Sequence, residues 1–130
     1  MIKGAYVKKI NILNDLNIPN NYKSFIQHFM INLSSLENIE RVILFGSCAR
    51  EDVDDKYSDI DMLVLTNNSI TLDEEFYIMN DCTPSIDYKY YVPSDIIVNS
   101  IQHYIKYKDE FGMLQKQIER EGIDISELLR

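Results

Sequence analysis

Apolar residues recur along the chain at two different periods. Tyr22, Phe25, Ile26, Phe29, Met30 and Leu33 fall at i, i+3, i+4, i+7 spacing and predict an amphipathic helix with its aromatic stripe on a core. Ahead of it, Tyr6, Val7, Ile10, Leu13 and Leu16 predict a helical face over 3–17, ended by Pro19-Asn20-Asn21. Two continuous apolar runs, 42–45 and 62–65, predict buried strands. Residues 72–79 predict a short helix capped by Ser69 or Thr71, with Asp73, Glu74 and Glu75 in a first turn where the helix dipole favours negative charge. Residues 86–92 alternate: Ile86, Tyr88, Tyr90 and Val92 share one face, and Asp87, Lys89 and Tyr91 the other, as in a third strand. Pro93-Ser94-Asp95 reads as the start of a helix continuing through Ile97, Ile101, Tyr104, Ile105 and Lys108. Phe111, Leu114 and Ile118 predict a last helix ended by Gly122, followed by a short tail. Helices alternating with three strands predict an α/β or α+β sheet core in one domain spanning 1–130. Its parts are a helical segment (1–41), a sheet core (42–92) and C-terminal helices (93–130).

Composition narrows the class. A chain of 130 residues supports a single core, and 45% hydrophobic with 26% charged residues is ordinary for a folded globular protein. The net charge of −8 argues against sequence-independent binding to a nucleic-acid backbone. A small anionic substrate stays compatible, because Mg²⁺ and local donors offset the global charge. No apolar run reaches the roughly 18 residues of a membrane span, and the first residues are too polar for a secretory signal, so a cytoplasmic protein is expected. Cys48 and Cys82 form no Cys-x-x-Cys pattern and are expected as free thiols. His28 and His103 each stand alone on a helix and are expected at satisfied or surface positions.

The chemistry concentrates between the first two strands. The first leads into Gly46-Ser47, an eleven-residue polar loop (48–58) follows, and Asp59-Ile60-Asp61 opens the second. On extended backbone, residues i and i+2 share a face with Cα atoms roughly 6.5 to 7 Å apart, so Asp59 and Asp61 aim two carboxylates at one small volume. Like charges held there call for a cation. Mg²⁺ is the natural choice, since it is commonly held by one or two carboxylates together with substrate phosphates. Gly46 lets the backbone approach a ligand closely, and the Ser47 hydroxyl adds a donor for phosphate. The space between them fits a nucleoside triphosphate chelated to Mg²⁺.

Gly46-Ser47, a loop beginning x-Ala49-Arg50, and Ser58-Asp59-Ile60-Asp61 before an apolar strand resemble the core of the nucleotidyltransferase superfamily that includes DNA polymerase β, and above all its minimal members. The resemblance implies a small mixed β-sheet flanked by helices. It implies Asp59, Asp61 and, on a later strand, Asp87 as catalytic and metal-holding carboxylates for two Mg²⁺, and Gly46, Ser47, Arg50 and Ser58 as nucleotide-binding residues. It also implies AMP transfer from ATP to a hydroxyl. Small stand-alone members resemble antitoxins that modify a tyrosine of a HEPN-type toxin, which makes such a toxin the leading partner. Two other readings stand beside this one: a small-molecule acceptor, and a non-catalytic module that binds nucleotide or neutralises its partner by contact. The sequence departs from the family pattern in a loop one residue longer than usual and in Glu51, which stands where glycine is common. Arg50 is left open between a phosphate and pairing with Asp52 or Asp54.

Overall fold

Five strands and five α-helices are found among residues 8–54, 56–107 and 112–129, the part of the chain described by the computed structural model. In chain order they are β1 (Lys8–Lys9), α1 (Asn20–Leu33), β2 (Ile39–Phe45), α2 (Ser47–Arg50), β3 (Ile60–Thr66), α3 (Leu72–Asn80), β4 (Ser94–Ser100), α4 (Ile101–Tyr107), α5 (Met113–Glu121) and β5 (Ile123–Asp124). The sheet is mixed, in the order β1-β5-β2-β3-β4. β3 runs antiparallel to β2 and parallel to β4, with α3 as the crossover.

The period-2 alternation of β2 and β3 sorts the apolar residues onto two faces. Val42, Leu44, Ile60, Met62 and Val64 pack with Tyr22, Phe25, Ile26, Phe29, Met30 and Leu33 of α1. Ile43, Phe45, Leu63 and Leu65 pack with Tyr104 of α4 and Ile118 of α5. Strands covered on both faces read as unbroken apolar runs, which is why 42–45 and 62–65 stand out in the sequence. α3 starts on a capping box in which Thr71 and Glu74 each bond the other's backbone N–H.

Three expectations need correction. The helical face over 3–17 is not an α-helix where described: only a short 3-10 turn, Leu13–Asp15, is helical there, residues 1–7 lying outside the described part. β1 instead runs beside β5, with Lys8 N–H donating to Gly122 O and Ile10 N–H to Asp124 O, both at 3.1 Å. Ile10 and Leu16 are buried, so their apolar spacing marks anchor points rather than a helix. The strand expected at 86–92 is instead a run of tight turns, in which Tyr88 N–H donates to Ser85 O and Tyr91 N–H to Tyr88 O. The place beside β3 is taken by β4, within the stretch expected to be helical from 93 onward. Ile96-Ile97-Val98 is a β-branched run suited to a ladder, and helix begins only at Ile101. The tail after Gly122 contributes β5, so the sheet takes strands from beyond 42–92 at both ends.

Candidate active site

Antiparallel pairing of β2 with β3 and parallel pairing of β3 with β4 bring three strand ends together. Phe45 at the end of β2 lies opposite Asp61 near the start of β3, and Asp61 lies opposite Asp95 near the start of β4. Asp61 has the parity of Leu63 and Leu65, and Asp95 that of Ile97, so both lie on the sheet face that α4 and α5 cover further along, Asp61 half-buried and Asp95 exposed. Neighbouring strands are about 4.8 Å apart, which makes these two carboxylates close neighbours, with exposed Asp59 just ahead of β3. Asp61 is pushed up to about 6, first by burial, then by the charges of Asp95 and Asp59, with a smaller contribution from Glu121 and an opposing one from Arg50.

Gly46 sits against this cluster. Its φ of 76° lies in the region that favours glycine, and a Cβ there would collide with Asp61 Oδ2. The chain then turns at once into α2, where Gly46 O accepts from Ala49 and Arg50 N–H. Glu51 ends α2 at φ 61°, a left-handed position that explains why glycine is common there. Gly46 N–H donates to Glu121 Oε2 at 2.7 Å. Arg50 gives its Nε to Asp52 at 3.1 Å and one terminal nitrogen to both Glu121 oxygens at 3.0 and 3.2 Å. Asp52, foremost, and Glu121 thus hold the guanidinium pKa above its usual value. Of the two pairings left open for Arg50, the structure makes the one to Asp52. Glu121, 71 residues after Arg50, carries no local motif that would single it out in the sequence.

The other anticipated residues divide. Ser47 opens α2, half-buried beside Gly46. Ser58 braces the long loop: its Oγ accepts Asp54 N–H at 2.8 Å, its N–H donates to Asp54 O, and its carbonyl accepts Tyr22 OH at 2.8 Å. Asp87, expected as the third carboxylate, is exposed on the 85–91 turns instead of on a strand beside Asp61; the acidic residue in register with Asp61 is Asp95. His28 Nδ1 is 3.0 Å from Tyr90 OH, a satisfied histidine as expected.

Cys48 and Cys82 are free and buried. Burial, then the charges of Asp61 and Asp52, push the Cys48 thiol up to about 12, and burial does the same for Cys82. Both thiols are therefore neutral at pH 8 and poor nucleophiles. Iodoacetamide at pH 8 is expected to leave the native protein unlabelled and to label both cysteines in urea, read by intact mass. Rapid labelling of native Cys48 would show a reactive thiol beside the carboxylates.

Among the described residues, no group of three or more His, Cys, Asp or Glu is arranged so that it could hold a metal ion. The donors nonetheless fit Mg²⁺ chemically. Asp59, Asp61 and Asp95 supply only hard oxygens, and mutual repulsion and burial already hold Asp61 in a state that a cation would relieve.

A mixed sheet thus carries Gly46-Ser47 at the end of β2 and Asp61 and Asp95 near the starts of β3 and β4. The Polymerase beta, Nucleotidyltransferase family profile matches residues 26–127, and the chain belongs to that family. It is also similar to a Methanocaldococcus jannaschii protein named "Putative protein adenylyltransferase MJ0141", 31% identical over 102 residues, covering 77% of this chain and 94% of that one. A crystal structure from Sulfolobus solfataricus, described as a putative nucleotidyltransferase, overlaps 75% of each chain at a TM-score of 0.43 and 23% identity. No helix among the described residues is long and apolar enough to cross a membrane.

Proposed function

We propose that the protein transfers AMP from Mg-ATP to a hydroxyl of a partner protein. The observation that supports this most is the register of Asp61 with Asp95 beside Gly46. The similarity to a protein named as a protein adenylyltransferase, over nearly that protein's whole length, favours a protein acceptor over a small molecule. Asp59 and Asp61 would hold two Mg²⁺, with Asp95 in the role first expected of Asp87. When bound, the ions neutralise charge on the triphosphate. Gly46 N–H, the Ser47 hydroxyl and Arg50 would receive the outer phosphates. The acceptor oxygen bonds to the α-phosphorus, the bond from that phosphorus to the bridging oxygen of pyrophosphate breaks, and Asp95 takes the hydroxyl proton. Positioning and electrostatic complementarity carry most of the acceleration.

The partner has a surface to meet. Leu72, Phe76 and Met79 stand at i, i+4, i+7 on α3 with 68%, 53% and 40% of their area exposed. An apolar stripe of this kind suits a helical protein such as a HEPN-type toxin carrying the acceptor tyrosine. The same stripe favours the second reading, in which the protein acts on its partner by contact alone. Label transfer from ATP labelled at the α-phosphate, with Mg²⁺, into lysate of the source cell separates the two. A labelled protein band is expected with wild type and absent with the Asp59→Asn/Asp61→Asn protein or with EDTA. Neutralisation of a partner that survives in the double variant, without any band from wild type, would replace transfer by contact.

A further inference from the structure

We propose that Glu121 is an internal stand-in for the outer phosphates of the nucleotide: its carboxylate occupies Gly46 N–H and the Arg50 guanidinium until a triphosphate displaces it. The inference rests on the reading of this site as an ATP site and adds a regulatory element to it. A carboxylate in this place has unfavourable as well as favourable neighbours, Arg120 Nη2 lying 3.9 Å from it. Glu121 is the last residue of α5, at the helix end where the dipole disfavours an anion. Only 9% of its side chain meets solvent, and its charge adds to the repulsion already felt by Asp61. What holds it is the set of donors that a phosphate would use: Gly46 N–H at 2.7 Å and Arg50 at 3.0 and 3.2 Å, with Gln117 Nε2 at 3.0 Å orienting it.

Arg50 is free to change partners. Its side chain is 45% exposed, and the bond of Nε to Asp52 leaves the far end of the guanidinium to swing from carboxylate to phosphate. Gly46 joins β2 to α2, and Glu121 leads through Gly122 into β5, which pairs with β2. Nucleotide entry and the end of α5 are therefore coupled through one pair of donors. A passive clamp between α5 and the Gly46 turn would use the same bonds, but it makes the opposite prediction for binding.

The test is calorimetric titration of wild type, Glu121→Gln and Glu121→Asp with Mg-ATP and, separately, AMP, after melting curves confirm that each variant folds. Removing the charge while keeping the shape is expected to lower the Kd for Mg-ATP about tenfold, the scale of one charge-assisted contact. The shorter aspartate is expected to give a smaller gain. AMP, which lacks the outer phosphates, is expected to bind all three proteins equally. If wild type binds Mg-ATP and both variants bind it no tighter, Glu121 is a clamp; the stand-in is then overturned and the transfer reading stands. If none of the three binds Mg-ATP, the ATP reading falls and the stand-in with it. Equal tightening toward AMP would also overturn it, since the gain would not come from the outer phosphates.

Discussion

Asp95→Asn is expected to lower AMP transfer on the order of 100- to 1,000-fold, while Asp87→Asn leaves it within about twofold of wild type, the range of a surface change remote from the chemistry. The contrast follows from topology. Asp95 is in register with Asp61, on the sheet face that Asp61 shares with Leu63 and Leu65, and of the neighbouring charges it does most to raise the Asp61 pKa. Asp87 lies exposed among the turns that Tyr88 and Tyr91 N–H groups close. Asparagine keeps the size of aspartate but can neither take a proton nor neutralise a cation, so the loss is expected in kcat rather than in the KM for ATP. The measurement is initial rate of α-label transfer for both variants, with melting curves as the folding control. A large loss at Asp87 with none at Asp95 would return the third carboxylate to the 85–91 segment and break the proposed site.

The displacement of the strand expected at 86–92 by β4, which puts Asp95 rather than Asp87 in register with Asp61, shows where a lone sequence stops being readable. Period-2 alternation over 86–92 is genuine, but alternation does not say which segment reaches the sheet. That is decided by competition for the ladder beside β3, and Ile96-Ile97-Val98 occupies it. Ser94-Asp95 after Pro93 looks like a helix start because the same residue types cap helices and open strands after a proline. Elements whose evidence is local were legible: α1 from its aromatic stripe, α3 from its capping box, the Gly46-Ser47 turn and Asp59-Ile60-Asp61 from their flanking strands. What was illegible depends on long-range pairing. β1 exists only because β5 lies beside it, and Glu121 meets Gly46 only because the turn from α5 into β5 carries it there. Glu51 was legible in the opposite sense: its departure from the family pattern marks a left-handed position that the structure keeps without glycine.

Asp61→Asn is expected to move two measurements of one protein in opposite directions. Transfer should fall at least as far as for Asp95→Asn, because Asp61 is the carboxylate pressed against Gly46 and central to the cluster. Stability of the metal-free protein at pH 7 should nevertheless rise. The folded-state pKa of about 6 lies above the ordinary value of 3.8. The folded protein therefore binds the proton more tightly than the unfolded chain, a contribution fully present below about pH 4 and lost as pH rises through 6. At pH 7 the ionised carboxylate is a net cost. Asp61 is about half-buried, so solvent screening reduces that cost to the order of 1 kcal/mol. Asparagine removes it while keeping the packing against Gly46. The melting midpoint in EDTA at pH 7 should thus increase by roughly 2–5 °C, the gain shrinking toward pH 4. Adding Mg-ATP should raise the midpoint of wild type but not of the variant, because the variant has lost the charge that the cation would compensate. A lower midpoint for Asp61→Asn in EDTA at pH 7 would mean that the carboxylate already has a stabilising partner within the protein. The cluster would then be a structural ion pair rather than a site strained toward a metal and a nucleotide.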